Sequence, residues 1–494
     1  MKKLLLFILL TCNLISAQNL NKEIFNTLKE KITSNNLIST VEFLASPELA
    51  GRLPGHTGYQ KAADFIKDEF EKLNLKPGGD GSSYFQKLNV EYNDIYFESP
   101  FTIITNDKEF KFELGKDYAY RGFTGSGNFT AETVFCGYGL SQPELSYDDY
   151  TNIDVDGKVV VVFKYNPTWK VNEQNFSNGN PREKAIVAAK HGAIGILFVS
   201  FPNDKNPQAP IGSVIHGEGE QMIDFPEIHI DLPVADFLFQ ESGFTLKDLQ
   251  TKIDDTKQPF SIELKHKVKI DVKTNYVKEQ EVVNVVGVVE GTDKNLKNEF
   301  VIIGAHLDHV GQQNNIIYFP GANDNASGSA AVLEIARAFI NSGIKPKKSI
   351  AFVLFASEEQ GLYGSKYYSE NLPCPVENVT AMINMDCVGH GDSIQVGGGE
   401  SAVQLWKLVK NIDSTNEKIM VKKTWKGGGA DAEYFYQKGI PSIYFVTTNS
   451  YTHLHMMSDK PGTLNKNLFE KITRLAFLTT YEVAEGNYTR EKVK

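Results

Sequence analysis

The sequence predicts an α/β fold: a mixed, largely parallel central sheet flanked by helices, interrupted by a smaller α/β insert. Three observations support this. Beyond about residue 280, apolar runs of strand length alternate with amphipathic helical stretches, the pattern of a sheet covered on both faces. Between about 130 and 270 the texture changes to short β-rich runs set among Pro-, Gly- and Asn-rich stretches. At 494 residues the chain exceeds one ordinary domain, so two folding units are expected.

Residues 1–17 stand apart. Lys2 and Lys3 precede an apolar run at 4–10, and Ile15-Ser16-Ala17 closes the segment. This is the layout of a secretory signal peptide with cleavage after Ala17. Seven apolar residues fall far short of the ~20 needed to span a bilayer. A lipid-modified Cys12 is the weaker alternative, because Leu9-Leu10-Thr11 is a poor lead-in for it. The protein is therefore expected outside the cytoplasm, in the periplasm or the medium.

Residues 18–125 are expected to begin the main domain. Within them Ala62, Phe65, Ile66, Phe70 and Leu73 recur at helical spacing over residues 57–74, and Lys76-Pro77-Gly78-Gly79 stops the helix. Residues 126–272 form the insert, with strands at 158–163 and 194–200 on either side of a helix at 183–191. Residues 273–494 hold the rest of the main domain. Strands are expected there at 284–289, 300–305, 349–356, 381–386 and 440–447, and helices at 326–340 and 464–485. Ligands in such folds gather at the carboxyl ends of the strands.

Composition narrows the partners. Hydrophobic residues make up 41% and charged residues 23%, the balance of a globular protein with a sizeable core. With 61 acidic against 51 basic residues the net charge is −10, which disfavours nucleic acid or an anionic membrane as partner. No segment after residue 17 is long and apolar enough to span a membrane. Cys136, Cys374 and Cys387 are widely spaced and odd in number, giving no disulfide framework, no CxxC pair and no assignable bridge. Gly427-Gly428-Gly429 lacks the Lys-Ser/Thr of a phosphate cradle and reads as a turn before Asp431.

The chemistry lies where the strands end. Residues 300–305 lead into His306-Leu307-Asp308-His309, and the loop 321–325 presents Asp324 before a helix. Residues 349–356 lead into Ser357-Glu358-Glu359, residues 381–385 into Asp386, and residues 440–447 towards His453 and His455. Any one of these alone reads as a helix cap or a solvated loop end. Five together would crowd negative charge at one rim of the sheet, and metal cations relieve that repulsion. Imidazole and carboxylate without thiolate suit zinc ahead of manganese or cobalt. Two histidines and three carboxylates are too many for one tetrahedral ion with an open position, and fit two ions sharing a carboxylate. The spacing His306-x-Asp308 allows Asp308 to accept the imidazole N–H on the side away from the metal.

The segments GAHLDH, GANDNASG, SEEQGLYGS, INMDCVG and a final HxxxD resemble, in this order, the M28 family of zinc metallopeptidases. That resemblance implies a zinc-peptidase (phosphorylase/hydrolase-like) sheet and two Zn2+ ions. It implies His306 and Asp386 on one zinc, Glu359 and the final histidine on the other, and Asp324 bridging them. Glu358 would be the general base that takes a proton from the attacking water and passes it to the leaving amine. His455, followed four residues later by Asp459, fits the family pattern better than His453. Leu454 stands where many members carry tyrosine, leaving Tyr451 or His453 as oxyanion donor; Cys387 is read as a packing choice. The LASPEL segment at 44–49 with Gly51-Arg52 resembles the start of the M28 domain. FCGYG at 135–139, Asp148-Asp149-Tyr150, Asp156-Gly157-Lys158 and residues 188–197 resemble the protease-associated (PA) insert.

The expected activity is that of an exported aminopeptidase acting on peptides, the exo-action resting on the resemblance. A carboxypeptidase or dipeptidase is the alternative; it would need an arginine clamp, and Arg337 and Arg474 lie outside the motifs. A non-catalytic binding protein on the same fold, or a single-metal cyclase, is disfavoured because every ligand position and Glu358 are filled.

Overall fold

The computed structural model describes residues 27–177, 179–215 and 217–494; the expected signal peptide at residues 1–17 lies outside them. Among the described residues no helix is long and apolar enough to cross a membrane.

The predicted central sheet is present. Its strands run in the order Ile394–Gly397, Ser442–Thr447, Val379–Met385, Phe300–His306, Ser349–Phe355 and the last part of Ser261–Val289. The inner pairings are parallel, and the two outermost are antiparallel. Alternate residues of each strand enter opposite cores, so the apolar runs are continuous, as a doubly covered sheet requires. Val301, Ile303 and Ala305 face the helices Ser34–Leu44, Gly328–Asn341 and Lys466–Ala484. Ile302, Val353 and Met382 face Tyr368 and Phe435 on the other side. Each fully buried aliphatic side chain contributes roughly 1.5–3 kcal/mol.

The helix expected at 326–340 begins at Gly328. A Cβ at Gly328 would lie 2.2 Å from the Met385 carbonyl oxygen, so only glycine lets the helix start so close to the strand bearing Asp386.

Among the described residues the hydrogen-bonded sheet, 15 strands in all, continues into a second section in the middle of the chain, here called the second sheet. Gly127–Cys136, Val159–Phe163, Gly195–Val199 and Glu227–Ile230 are joined by parallel pairings, and Tyr118–Tyr120 closes the edge antiparallel. Val159, Val161 and Phe163 enter one core with Phe135. Val160 and Val162 enter the other, against Ala185 and Ala188 of the helix Pro181–Lys190.

One strand belongs to both sheets. Ser261–Val289 is 29 residues long; its start pairs with Gly127–Cys136, its middle with Phe85–Glu98 and its end with Ser349–Phe355. Leu264, His266, Val268, Ile270 and Val272 are buried at every second position, leaving one face wet, whereas 282–288 are buried without interruption. The segment expected as a separate strand at 284–289 is thus the far end of this ribbon. Where the two sheets meet, Leu53, Tyr92, Val310 and Phe319 pack against Phe123 and Val214.

Ile303 lies fully buried at the centre of the parallel strands. Ile303→Ala is expected to cost about 2–5 kcal/mol, read as a lowered thermal midpoint by circular dichroism.

Candidate metal centre

The side chains singled out by sequence stand together at the carboxyl ends of the parallel strands. His306 ends Phe300–His306, Glu358 and Glu359 follow Ser349–Phe355, Asp386 follows Val379–Met385, and His455 lies beyond Ser442–Thr447. Asp324 sits in the turn before the helix Gly328–Asn341.

Asp324 is placed between two histidines. Its Oδ1 lies 3.3 Å from His306 Nε2 and its Oδ2 lies 3.1 Å from His455 Nε2. His306 Nε2 also faces Asp386 Oδ1 at 3.3 Å and Glu358 Oε2 at 3.9 Å. His455 Nε2 faces Glu359 Oε2 at 2.9 Å. His453 instead turns to Ser458 Oγ, 2.9 Å away, so of the two candidate histidines only His455 joins the cluster. The side chain of Glu358 is the most open of these groups, 18% exposed against 5% for Glu359.

Burial and like charge set the electrostatics. Burial alone would depress His306 and His455, but the facing carboxylates outweigh it and raise both well above the ordinary histidine value. Burial, reinforced by Glu359, Asp431 and Asp386, raises Glu358 well above the usual carboxylate range. Glu359 resists burial through His455 and His309 and is held at about 2.

Several residues support this cluster through contacts that sequence reasoning did not assign. Asp459 accepts the backbone N–H groups of Asn323 at 2.9 Å and Asp324 at 3.1 Å, fixing the turn that presents Asp324. Tyr444 Oη donates to Asp386 Oδ2 at 3.2 Å. His309 Nδ1 lies 2.8 Å from Glu359 Oε1. The buried Arg52 donates to the carbonyls of Leu307 (2.8 Å), Pro320 (2.9 Å) and Gly321 (3.0 Å), tying the His306 and Asp324 segments together. Burial lowers its guanidinium to about 10, against the pull of Asp308, Asp324, Asp459 and Glu359. His309, Arg52 and Asp459 carried a sequence signal as members of the quoted segments GAHLDH, Gly51-Arg52 and HxxxD, whereas Tyr444 carried none.

Asp308 differs from expectation in its contacts. His306 Nδ1 lies 3.2 Å from the backbone carbonyl of Asp308 and 3.7 Å from its carboxylate. The carboxylate accepts the N–H groups of Glu358 (3.1 Å) and Glu359 (3.2 Å) instead. The reason is local. Ser357 takes a left-handed φ of 57°, and the next two amides then share one acceptor. Burial raises Asp308 to about 7. Cys387 is buried beside Tyr444 and Val446, and Cys136, Cys374 and Cys387 are all free thiols.

Ligand atoms of His309, Asp324, Glu359 and His455 lie within 4.8 Å of one another, as do those of His306, Glu358 and Asp386. Buried imidazole nitrogens and carboxylate oxygens in this density fit a divalent cation of zinc's type.

Known proteins are similar to this chain. The model of Peptidase family M28 matches residues 284–480. A Pseudomonas aeruginosa aminopeptidase is 26% identical over 375 residues, covering 73% of this chain. The chain spans 59% of that relative's length. Among solved structures, a peptidase M28 precursor from Shewanella amazonensis shares the fold with a TM-score of 0.70 at 17% identity, over 97% of this chain and 98% of that one. A zinc aminopeptidase from Bacillus subtilis does so with a TM-score of 0.63 at 18% identity, over 94% and 98%.

If Asp459 holds the Asp324 turn, Asp459→Ala is expected to weaken zinc binding by about 10- to 100-fold with little change in secondary structure. Chelator competition on the purified protein measures it.

Proposed function

We propose that the chain, whose residues 284–480 match the model of Peptidase family M28, is an exported aminopeptidase that works with two zinc ions. The observation that carries this reading is the division of Asp324, one oxygen towards His306 and the other towards His455. A carboxylate so placed suits a bridge between two cations, with Asp386 completing the His306 side and Glu359 the His455 side. Zinc bound there supplies Lewis acidity, lowering the pKa of water and stabilising an oxyanion.

The chain's own residues supply the rest. Glu358 is the most exposed carboxylate of the group and its raised proton affinity suits a general base. It takes a proton from the attacking water and returns it to the departing amine. Asp308 holds the amides of Glu358 and Glu359 and so aims the two adjacent carboxylates apart. With His453 turned to Ser458, Tyr451, more than half exposed, is the better candidate for donating to the oxyanion.

Amino- rather than carboxypeptidase action is supported by the arginines. Arg52 spends its guanidinium on main-chain carbonyls, Arg182 pairs with Glu91, Arg337 with Glu69 and Arg474 with Glu417. Arg121 donates to Ser213 and Arg490 to the Gly439 carbonyl. None is left at the cluster to clamp a substrate carboxylate. Residues 126–272 are read as a PA-like insert, and export rests on residues 1–17.

The test is hydrolysis of amino-acid p-nitroanilides, free and N-acetylated. Cleavage of the free-amine substrates alone is expected, abolished by chelator and restored by zinc. Glu358→Gln should lower kcat by about 100-fold or more while zinc content stays at two per chain. Equal cleavage of acetylated substrates, or none of either set by the zinc-loaded protein, rules out the aminopeptidase.

A further inference from the structure

Among the described residues, the insert meets the catalytic cluster at the segment 209–214, where Gly212 touches His455. The Gly212 N–H donates to the His455 carbonyl oxygen at 3.0 Å, and His455 Nδ1 lies 3.2 Å from the Gly212 carbonyl oxygen. A carbonyl oxygen only accepts, so Nδ1 carries the proton in this contact. In a neutral ring Nε2 then keeps its lone pair, and Nε2 is the atom facing Asp324 and Glu359.

The segment is held in place from both sides. On one side, just after the edge strand Tyr118–Tyr120, Arg121 Nη2 donates to the Ser213 hydroxyl at 2.8 Å and the Gly122 N–H to the Ser213 carbonyl at 2.7 Å. Towards the main domain, Gly212 lies flat against apolar side chains: a Cβ there would stand 2.6 Å from Val310 Cγ2 and 2.9 Å from the Phe319 ring. Val214 packs into the same cluster as Leu53, Phe123, Val310 and Phe319. His455 takes a φ of 56°, a left-handed backbone that costs a non-glycine residue energy unless its surroundings impose it. The paired hydrogen bonds to Gly212 impose it.

We infer that the insert is a working part of the metal centre: the Gly212 backbone fixes His455 in the tautomer and orientation that present Nε2 to the cation. Gly212 is a positioning residue, and its role rests on reading His455 as a ligand. Displacing residues 209–214 weakens the ion shared by His455 and Glu359 and spares the one at His306 and Asp386.

The test uses the full mature chain, stripped of metal and titrated with zinc against a chromophoric chelator, with circular dichroism to verify folding. His455→Ala sets the reference and should lose one of two zinc ions. Gly212→Ala, which pushes its Cβ into Val310 and Phe319, should weaken one zinc by about 10- to 100-fold and leave the other unchanged. Adding Val310→Ala removes the closer of the two contacts, leaving the Phe319 ring, and should restore part of the affinity. Wild-type affinity for both ions in folded Gly212→Ala overturns the inference, as does a weakening that Val310→Ala does not relieve. Two zinc ions retained in His455→Ala would overturn the ligand reading itself, and this inference with it.

Discussion

Like charge forced together at one rim of the sheet is the constraint on which the rest of this structure depends. Asp308, Asp324, Glu359, Asp386, Asp431 and Asp459 are buried there, with Glu358 half-buried beside them. An ion removed from water costs several kcal/mol even after the protein relaxes, so each carboxylate needs a partner. The supporting acids use backbone: Asp308 takes two amides after Ser357, and Asp459 takes those of Asn323 and Asp324. Asp324, Glu359 and Asp386 are left facing imidazoles and one another. That residue of unbalanced charge is what makes the cluster a place for cations.

The same constraint explains Arg52. A guanidinium in direct contact with the cluster would compete with any metal for the carboxylates. Arg52 stays one layer behind, bonded to main-chain carbonyls, while its charge still acts on Asp308, Asp324, Asp459 and Glu359. It steadies the acids without occupying their oxygens. Ser357, Cys387 and His455, each adjacent to or part of the cluster, are among the non-glycine residues that adopt positive φ. Such conformations persist only where surrounding contacts over-determine them.

Periodicity made most of the sheet legible. Runs such as 300–305 and 349–356 are apolar on both faces and end in His, Asp or Glu, so strand and site were read from the same residues. The ribbon Ser261–Val289 was not legible as one element, because its burial period changes near residue 282 and each half mimics a separate strand. The central acids and histidines were visible as a set since chemistry repeats at successive strand ends. Asp459 as the support for Asp324, and Tyr444 as the partner of Asp386, were hidden. Each is a single residue whose meaning depends on a neighbour 58 or more positions away. The Asp308 carboxylate was expected on His306; the turn at Ser357, which sends two amides to it, has no pattern in sequence.

The shared ribbon also sets an order on folding. Phe85 aligns with Val285 and Glu98 with Val272, so the pairing of an early strand waits for residues made almost two hundred positions later. The parallel strands that bear the site then add beyond residue 300. Pairings of such long range close slowly, and in a chain made from its amino terminus the strand Phe85–Glu98 is exposed meanwhile. Most strands of the insert, up to Glu227–Ile230, are synthesised within that interval, before the ribbon that ties both sheets. These strands are therefore positioned to act as an internal scaffold, made first and receiving the start of the ribbon whose far end pairs with the strands that bear the site.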